Sequence, residues 1–108
     1  MKAYASNIRI SPKKVAVVAT IIRNMEVQKA LDILKFMPNK WSGVLYKVLF
    51  SAVSNAINND WQEKSNLLVN SLIISKWTVM KRGNPIWRWR SHPILKRTSN
   101  ILLELKVK

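Results

Sequence analysis

Residues 67–107 read LLVNSLIISKWTVMKRGNPIWRWRSHPILKRTSNILLELKV, from Leu67 to Val107, and this stretch decides the fold. At its end Ile101, Leu103, Leu105 and Val107 alternate with Leu102, Glu104, Lys106 and Lys108. A period of two is the mark of a strand with one buried face. At its start Leu67 to Thr78 is rich in Leu, Val, Ile and Trp, with apolar residues at both parities. Between them Met80 to Pro93 holds the breakers Gly83-Asn84-Pro85 and His92-Pro93. Two strands flanking such a segment predict an antiparallel hairpin over about 67–107, with its tip over about 80–93. A loop of that length is too long for a tight turn and is often functional.

Working outward, three helices are expected before the hairpin. Asn39 is placed to cap a helix in which Trp41, Val44, Leu45, Val48, Leu49, Ala52, Val53, Ala56 and Ile57 trace one apolar stripe, stopped by Asn58-Asn59-Asp60. Before it, Val27, Ala30, Leu31 and Leu34 fall at i, i+3, i+4 and i+7, and Pro38 ends that helix. Glu26 and Asp32 each precede a lysine by three residues and are expected to pair with Lys29 and Lys35. Ser11-Pro12 opens the first helix, Lys13 to Arg23, as an N-cap followed by a proline in the first turn. Tyr4, Ile8 and Ile10 share one parity and predict a short strand ahead of it. The reading is one α+β domain over 1–108: strand, three helices on one face of a small sheet, then the hairpin.

Composition narrows the function. The 108 residues carry 19 Lys plus Arg against 5 Asp plus Glu, a net charge of +14, while 48% are hydrophobic. Such a chain folds and carries a strong positive field, which points to a polyanion. No cysteine is present, His92 is the lone histidine, and the two glycines are Gly43 and Gly83. These counts exclude disulfides, thiolate metal sites and a glycine-rich phosphate loop. Neither a catalytic acid–base pair, a metal nor a cofactor is expected, and no small-molecule substrate. The apolar run from Val15 to Ile22, broken by Thr20, is far too short to span a membrane.

The binding chemistry concentrates in the hairpin. No acid occurs from Ser65 to Leu103, where Lys76, Lys81, Arg82, Arg88, Arg90, Lys96 and Arg97 are interleaved with Trp77, Trp87 and Trp89. Arginine pairs bidentately with phosphate, and tryptophan offers a face to an unpaired base. RNA suits this set better than duplex DNA, because its loops and bulges expose unstacked bases. Trp87 and Trp89 either contact RNA or pack on each other across the hairpin. Trp41 belongs to the core stripe, and Trp61 and Trp77 are read as core-edge residues.

Several segments together resemble the large-subunit ribosomal protein L twenty-two family, over about Ala3 to Val107. They are Ile8-Arg9-Ile10-Ser11-Pro12-Lys13-Lys14, Ala30-Leu31-Asp32-Ile33-Leu34 with Phe36-Met37-Pro38-Asn39-Lys40, Lys47-Val48-Leu49 with Ser51-Ala52-Val53 and Asn55-Ala56, and Met80-Lys81-Arg82 with Ile94-Leu95-Lys96-Arg97-Thr98-Ser99. The resemblance implies three helices on a three-stranded antiparallel sheet with a long protruding β-hairpin. It implies a structural, non-enzymatic constituent of the large ribosomal subunit that binds large-subunit rRNA, supports assembly, and lines the peptide exit tunnel with its hairpin. Neighbouring large-subunit proteins and the nascent peptide are its further partners. Carried over by position, Arg9, Ser11, Lys13 and Lys14 meet rRNA at the start of the first helix, and Lys81, Arg82, Lys96 and Arg97 grip it along the hairpin. Arg88 and Arg90 match basic tip positions, and Pro85, Trp87, Arg88, Trp89 and Arg90 form the tunnel tip. Thr98 and Ser99 are expected to donate hydroxyl hydrogen bonds to rRNA or to cap strand edges.

The chain departs from the family pattern at Lys76-Trp77-Thr78, at Trp89 where a small residue is usual, and at Asn100 in place of the commoner His. One tip tryptophan is expected to stack on a tunnel rRNA base and the other to narrow the lumen. A resemblance that starts at Ala3 makes the basic N-terminus mature protein rather than a transit peptide. Abundant Lys, Asn and Ile suit an organellar member, in a mitochondrion or plastid, although a bacterial source fits by length. The rival readings are a free basic RNA-binding regulator or chaperone of the same fold, and a membrane-surface protein. The latter is disfavoured because the third helix has only Lys40 and Lys47 for its polar face.

Overall fold

The computed structural model describes Met1–Lys108. In chain order it contains β1 (Lys2–Ile8), α1 (Pro12–Ile22), α2 (Val27–Phe36), α3 (Lys40–Asp60), a short 3-10 turn (Lys64–Asn66), β2 (Leu67–Trp87) and β3 (Arg90–Val107). The three strands form one antiparallel sheet in the order β1-β3-β2. This is the α+β architecture expected from the sequence, drawn out to 62 × 25 × 17 Å because β2 and β3 run far beyond the helices.

The core is built from the periodic residues. Val15, Val18, Ala19 and Ile22 of α1 are buried, as are Val27, Ala30, Leu31 and Leu34 of α2 and Leu45, Val48, Leu49, Ala52, Val53 and Ala56 of α3. They pack on Ile101, Leu103 and Leu105 of β3, which pair laterally with Ile74, Leu72 and Val69 of β2. On the other side of β3, Ala5 and Ala3 pair with Ile101 and Leu103.

Two strand irregularities explain what simple alternation misjudged. In β2 the register steps from Val69↔Leu105 to Ser71↔Glu104, so Asn70 is an extra residue. The bulge moves the buried face from Leu67 and Val69 to Leu72, which is why both parities look apolar in sequence. In β1 the register breaks between Ala5 and Ile8, where Asn7 adopts φ 53 and donates its backbone N–H to Asn100 Oδ1 at 3.0 Å. Ile8 and Ile10 therefore reach the core, but Tyr4 sits on the opposite face at 62% exposure, and Ala3 is the buried residue of the strand.

The tip is also tighter than expected. Pairing continues through Gly83↔Pro93, Asn84↔His92 and Pro85↔Ser91 to Trp87↔Arg90, leaving only Arg88 and Trp89 between the strands. The expected loop over 80–93 is thus a two-stranded ribbon closed by a two-residue turn. A two-stranded ribbon consists of edges alone, and edge positions tolerate a proline that cannot donate to a ladder.

The helix starts differ in detail too. Ser11 and Asn39 occupy the N-cap positions of α1 and α3, yet neither side chain makes a cap hydrogen bond. Ser42, inside α3, instead places its hydroxyl 2.5 Å from the Asn39 carbonyl and 3.1 Å from that of Met37. Glu26 precedes α2 and pairs with Lys29 at 3.0 Å and with Lys108 at 2.5 Å. The expected Asp32–Lys35 pair does not form.

Candidate nucleic-acid interface

Where the hairpin leaves the globular part, an open groove of about 660 Å³ is lined by Arg9, Ser11, Lys40, Met80, Arg82, Leu95, Lys96 and Arg97. Four elements supply it. The β1–α1 corner brings Arg9 and Ser11, the first residue of α3 is Lys40, and facing positions of the ribbon bring the rest, with Met80 paired to Lys96. The Arg9 guanidinium lies 3.6 Å from Met80 Sδ, tying that corner to the ribbon. Two smaller cavities adjoin it. One joins Ser11, Pro12 and Lys13 to Lys76 and Arg97, and the other joins Arg9, Ser11 and Lys14 to Lys40 and Trp41.

No carboxylate lines any of these cavities. The acids that form ion pairs take other cations: Glu26 holds Lys108 and Lys29, Glu104 holds Lys2 at 2.8 Å, and Asp60 lies 4.0 Å from the amino terminus. The Lys108 ammonium, hydrogen-bonded to Glu26 and aided by Lys29, holds that carboxyl at about 2. Lys2, with help from the Ser71 hydroxyl, pulls Glu104 below its ordinary value. The groove cations are therefore left without intramolecular counter-charges. The starts of α1 and α3, which have no acid in their first turns and no side-chain cap, add their positive dipole ends to the same place. The lining offers hydrogen-bond donors and positive charge, but no imidazole or carboxylate to accept a proton. Such a lining is chemically suited to phosphate oxygens.

Of the residues singled out in sequence, Arg9, Ser11, Arg82, Lys96 and Arg97 meet in the groove, and Lys13 and Lys14 flank it. Lys81 is exposed on the ribbon beside it. Thr98 and Ser99, expected to reach rRNA or to cap strand edges, are 2% and 0% exposed. They lie where the register slips between Lys76↔Ser99 and Val79↔Arg97, and Thr98 helps line a small cleft with Pro12, Lys76, Trp77, Val79 and Arg97. There Thr98 Oγ1 donates to the Thr78 carbonyl at 2.6 Å, which serves the strand edge, while Ser99 Oγ is buried without a partner. Lys40 and Lys76 are the residues that sequence reasoning left out. A lysine opening a helix with no acid in its first turn was the available signal for Lys40, and Lys76 belonged to the acid-free run already noted.

Pro85, Trp87, Arg88, Trp89 and Arg90 gather at the far end of the ribbon, about 16 Å beyond Arg82 by strand rise, and form a second basic locus. Trp87 and Trp89 do not stack on each other; Arg88 lies 4.7 Å over the Trp87 ring instead. His92 is exposed on the ribbon opposite Asn84. Trp61 and Trp77 are exposed rather than core-edge residues, whereas Trp41 packs against the core with Lys14 5.9 Å over its ring. No group of three or more His, Cys, Asp or Glu side chains comes together to hold a metal, and no helix is long and apolar enough to cross a membrane.

Residues 3–106 match the sequence model of one protein family, described as Ribosomal protein L22p/L17e. That span covers all three helices, the sheet, the groove and the tip. With nearly the whole chain matched in one piece, the protein belongs to the ribosomal protein L22p/L17e family.

Proposed function

We propose that this large-subunit ribosomal protein clamps rRNA in the groove at the root of its hairpin and extends the ribbon between rRNA segments, with its tip in the wall of the peptide exit tunnel. The observation that carries the reading is the convergence of Arg9, Lys40, Arg82, Lys96 and Arg97 on one acid-free groove. Like charges held this close cost stability unless a polyanion neutralises them. The rRNA-contacting set is then Arg9, Ser11, Lys13, Lys14, Lys81, Arg82, Arg88, Arg90, Lys96 and Arg97, joined by Lys40 and Lys76. Through these contacts the protein ties rRNA segments together during assembly. The tunnel position of Pro85, Trp87, Arg88, Trp89 and Arg90, and their meeting with the nascent peptide, rest on family membership and on the length of the ribbon. Abundant Lys, Asn and Ile support an organellar ribosome as its place.

Sedimentation of the native protein from its source lysate tests this. Comigration with the large subunit in magnesium, and release only by EDTA with high salt, is the expected result. Recovery solely in light, RNA-bound fractions would favour a free RNA-binding regulator instead.

A further inference from the structure

We propose that the hairpin tip is a binding site for a single unpaired RNA base, with Trp89 as the stacking platform and the Trp87–Arg88 pair as the fixed cation beside it. This deepens the rRNA-binding reading and rests on it.

The tip breaks the rules of its own turn. A two-residue hairpin connection favours glycine, asparagine or aspartate, because its central residues take positive φ. Here the two residues are Arg88, which alone of the pair takes positive φ, at 42, and Trp89. Arginine is costly in that region and gains nothing from the turn itself. Trp89 is fully exposed and Trp87 is 65% exposed, so neither is retained for burial. The Arg88 side chain lies over Trp87, itself exposed, so the violation serves no core packing, and such a position points to function.

The two tryptophans are not equivalent. The Arg88 guanidinium covers one face of Trp87 at 4.7 Å, which holds a planar charge at the apex. Trp89 pairs with no other ring, and both its faces are open. An occupant must suit a bare indole face with a positive charge beside it. Arg88 and Arg90 stand at the apex without any acid on the ribbon. A nucleotide supplies both matching parts, a flat base and an anionic phosphate, whereas a neutral apolar peptide leaves the charges unanswered.

The test uses the full chain, a short oligoadenylate carrying one 2-aminopurine, and the same strand annealed to its complement. Stacking on indole quenches the 2-aminopurine. Trp89→Ala is expected to weaken single-strand binding about tenfold, within the range a lost base stack commands, and to abolish the quench. Duplex binding is expected to stay unchanged, and Trp89→Phe to keep most of the affinity. Circular dichroism identical to wild type shows that the fold is intact, since the tip lies outside the core. Equal binding and quenching by wild type and Trp89→Ala would overturn the tip proposal alone, provided Lys96→Gln/Arg97→Gln weakens both RNA forms. Failure of the wild type to bind either RNA would remove the rRNA-binding reading as well. Trp89-dependent binding of a neutral apolar peptide, with none of the single strand, would also overturn the proposal and make the tip a peptide site.

Discussion

Replacing Lys96 and Arg97 together by glutamine changes how RNA affinity depends on salt, by an amount that follows from the groove. Eight cations face the groove and its flanking cavities: Arg9, Lys13, Lys14, Lys40, Lys76, Arg82, Lys96 and Arg97. If each neutralises one phosphate, log Kobs falls against log[salt] with a slope of about −7 for a duplex and about −6 for single strands. Raising salt from 50 to 200 mM then weakens duplex binding about 10⁴-fold. Losing two contacts brings the slope to about −5 and the loss over the same range to about 10³-fold. Fluorescence anisotropy with a labelled large-subunit rRNA fragment, titrated across that salt range, reads both slopes. Lys29→Gln is the control, because Lys29 is already paired with Glu26, and its slope is expected to equal the wild type's. The reasoning is refuted if the double variant keeps the wild-type slope, or if the wild-type slope is shallower than about −2.

Four further outcomes concern the fold. Thr98→Val removes the hydroxyl that serves the Thr78 carbonyl and is expected to cost about 1 kcal/mol in urea unfolding, whereas Ser99→Ala removes a buried hydroxyl without a partner and is expected to be neutral or stabilising. Trp61 closes α3 in the left-handed region at φ 53 while 87% exposed, so Trp61→Gly is expected to raise stability by about 1 kcal/mol, seen as a higher urea midpoint. Glu26 has its folded-state pKa lowered from 4.5 to about 2, so the stabilisation it gives is complete above about pH 4.5 and is lost as pH falls toward 2. Thermal melts across that window are expected to show a shallower pH dependence for Glu26→Gln.

Helical periodicity carried most of the globular part, because a 3.6-residue stripe must bury its apolar face. Every residue of the α2 stripe is buried, as are most of those in α3. The strands were harder to read because register depends on the partner strand. Asn70 and Asn7 each shift a face by one position, and nothing local announces the slip. Gly83, Pro85 and Pro93 look like loop residues because their propensities describe a strand within a sheet, not a ribbon whose backbone faces water on both sides. The groove residues were legible individually as charges, but their convergence was not. Arg9, Lys40 and Arg97 are far apart in sequence, and only the packing of α1 and α3 beside the hairpin root brings them together. Thr98 and Ser99 follow Lys96 and Arg97 in sequence, yet both are buried at the register slip of the hairpin root, and nothing local announces that burial.

The ribbon from Val79 to Lys96 has a mechanical consequence. Beyond its root, where Arg9 meets Met80, its pairs are closed within the hairpin, and none of its residues belongs to the buried core. Its length is consequently a free parameter of the molecule. Deleting two residues from each strand would draw the tip in by about 7 Å and leave every remaining side chain on its own side. Deleting one from each would turn the apex over and present Trp89 on the opposite face of the ribbon. The ribbon thus behaves as a ruler with discrete graduations, able to gain or lose reach in even steps while the globular part stays the same.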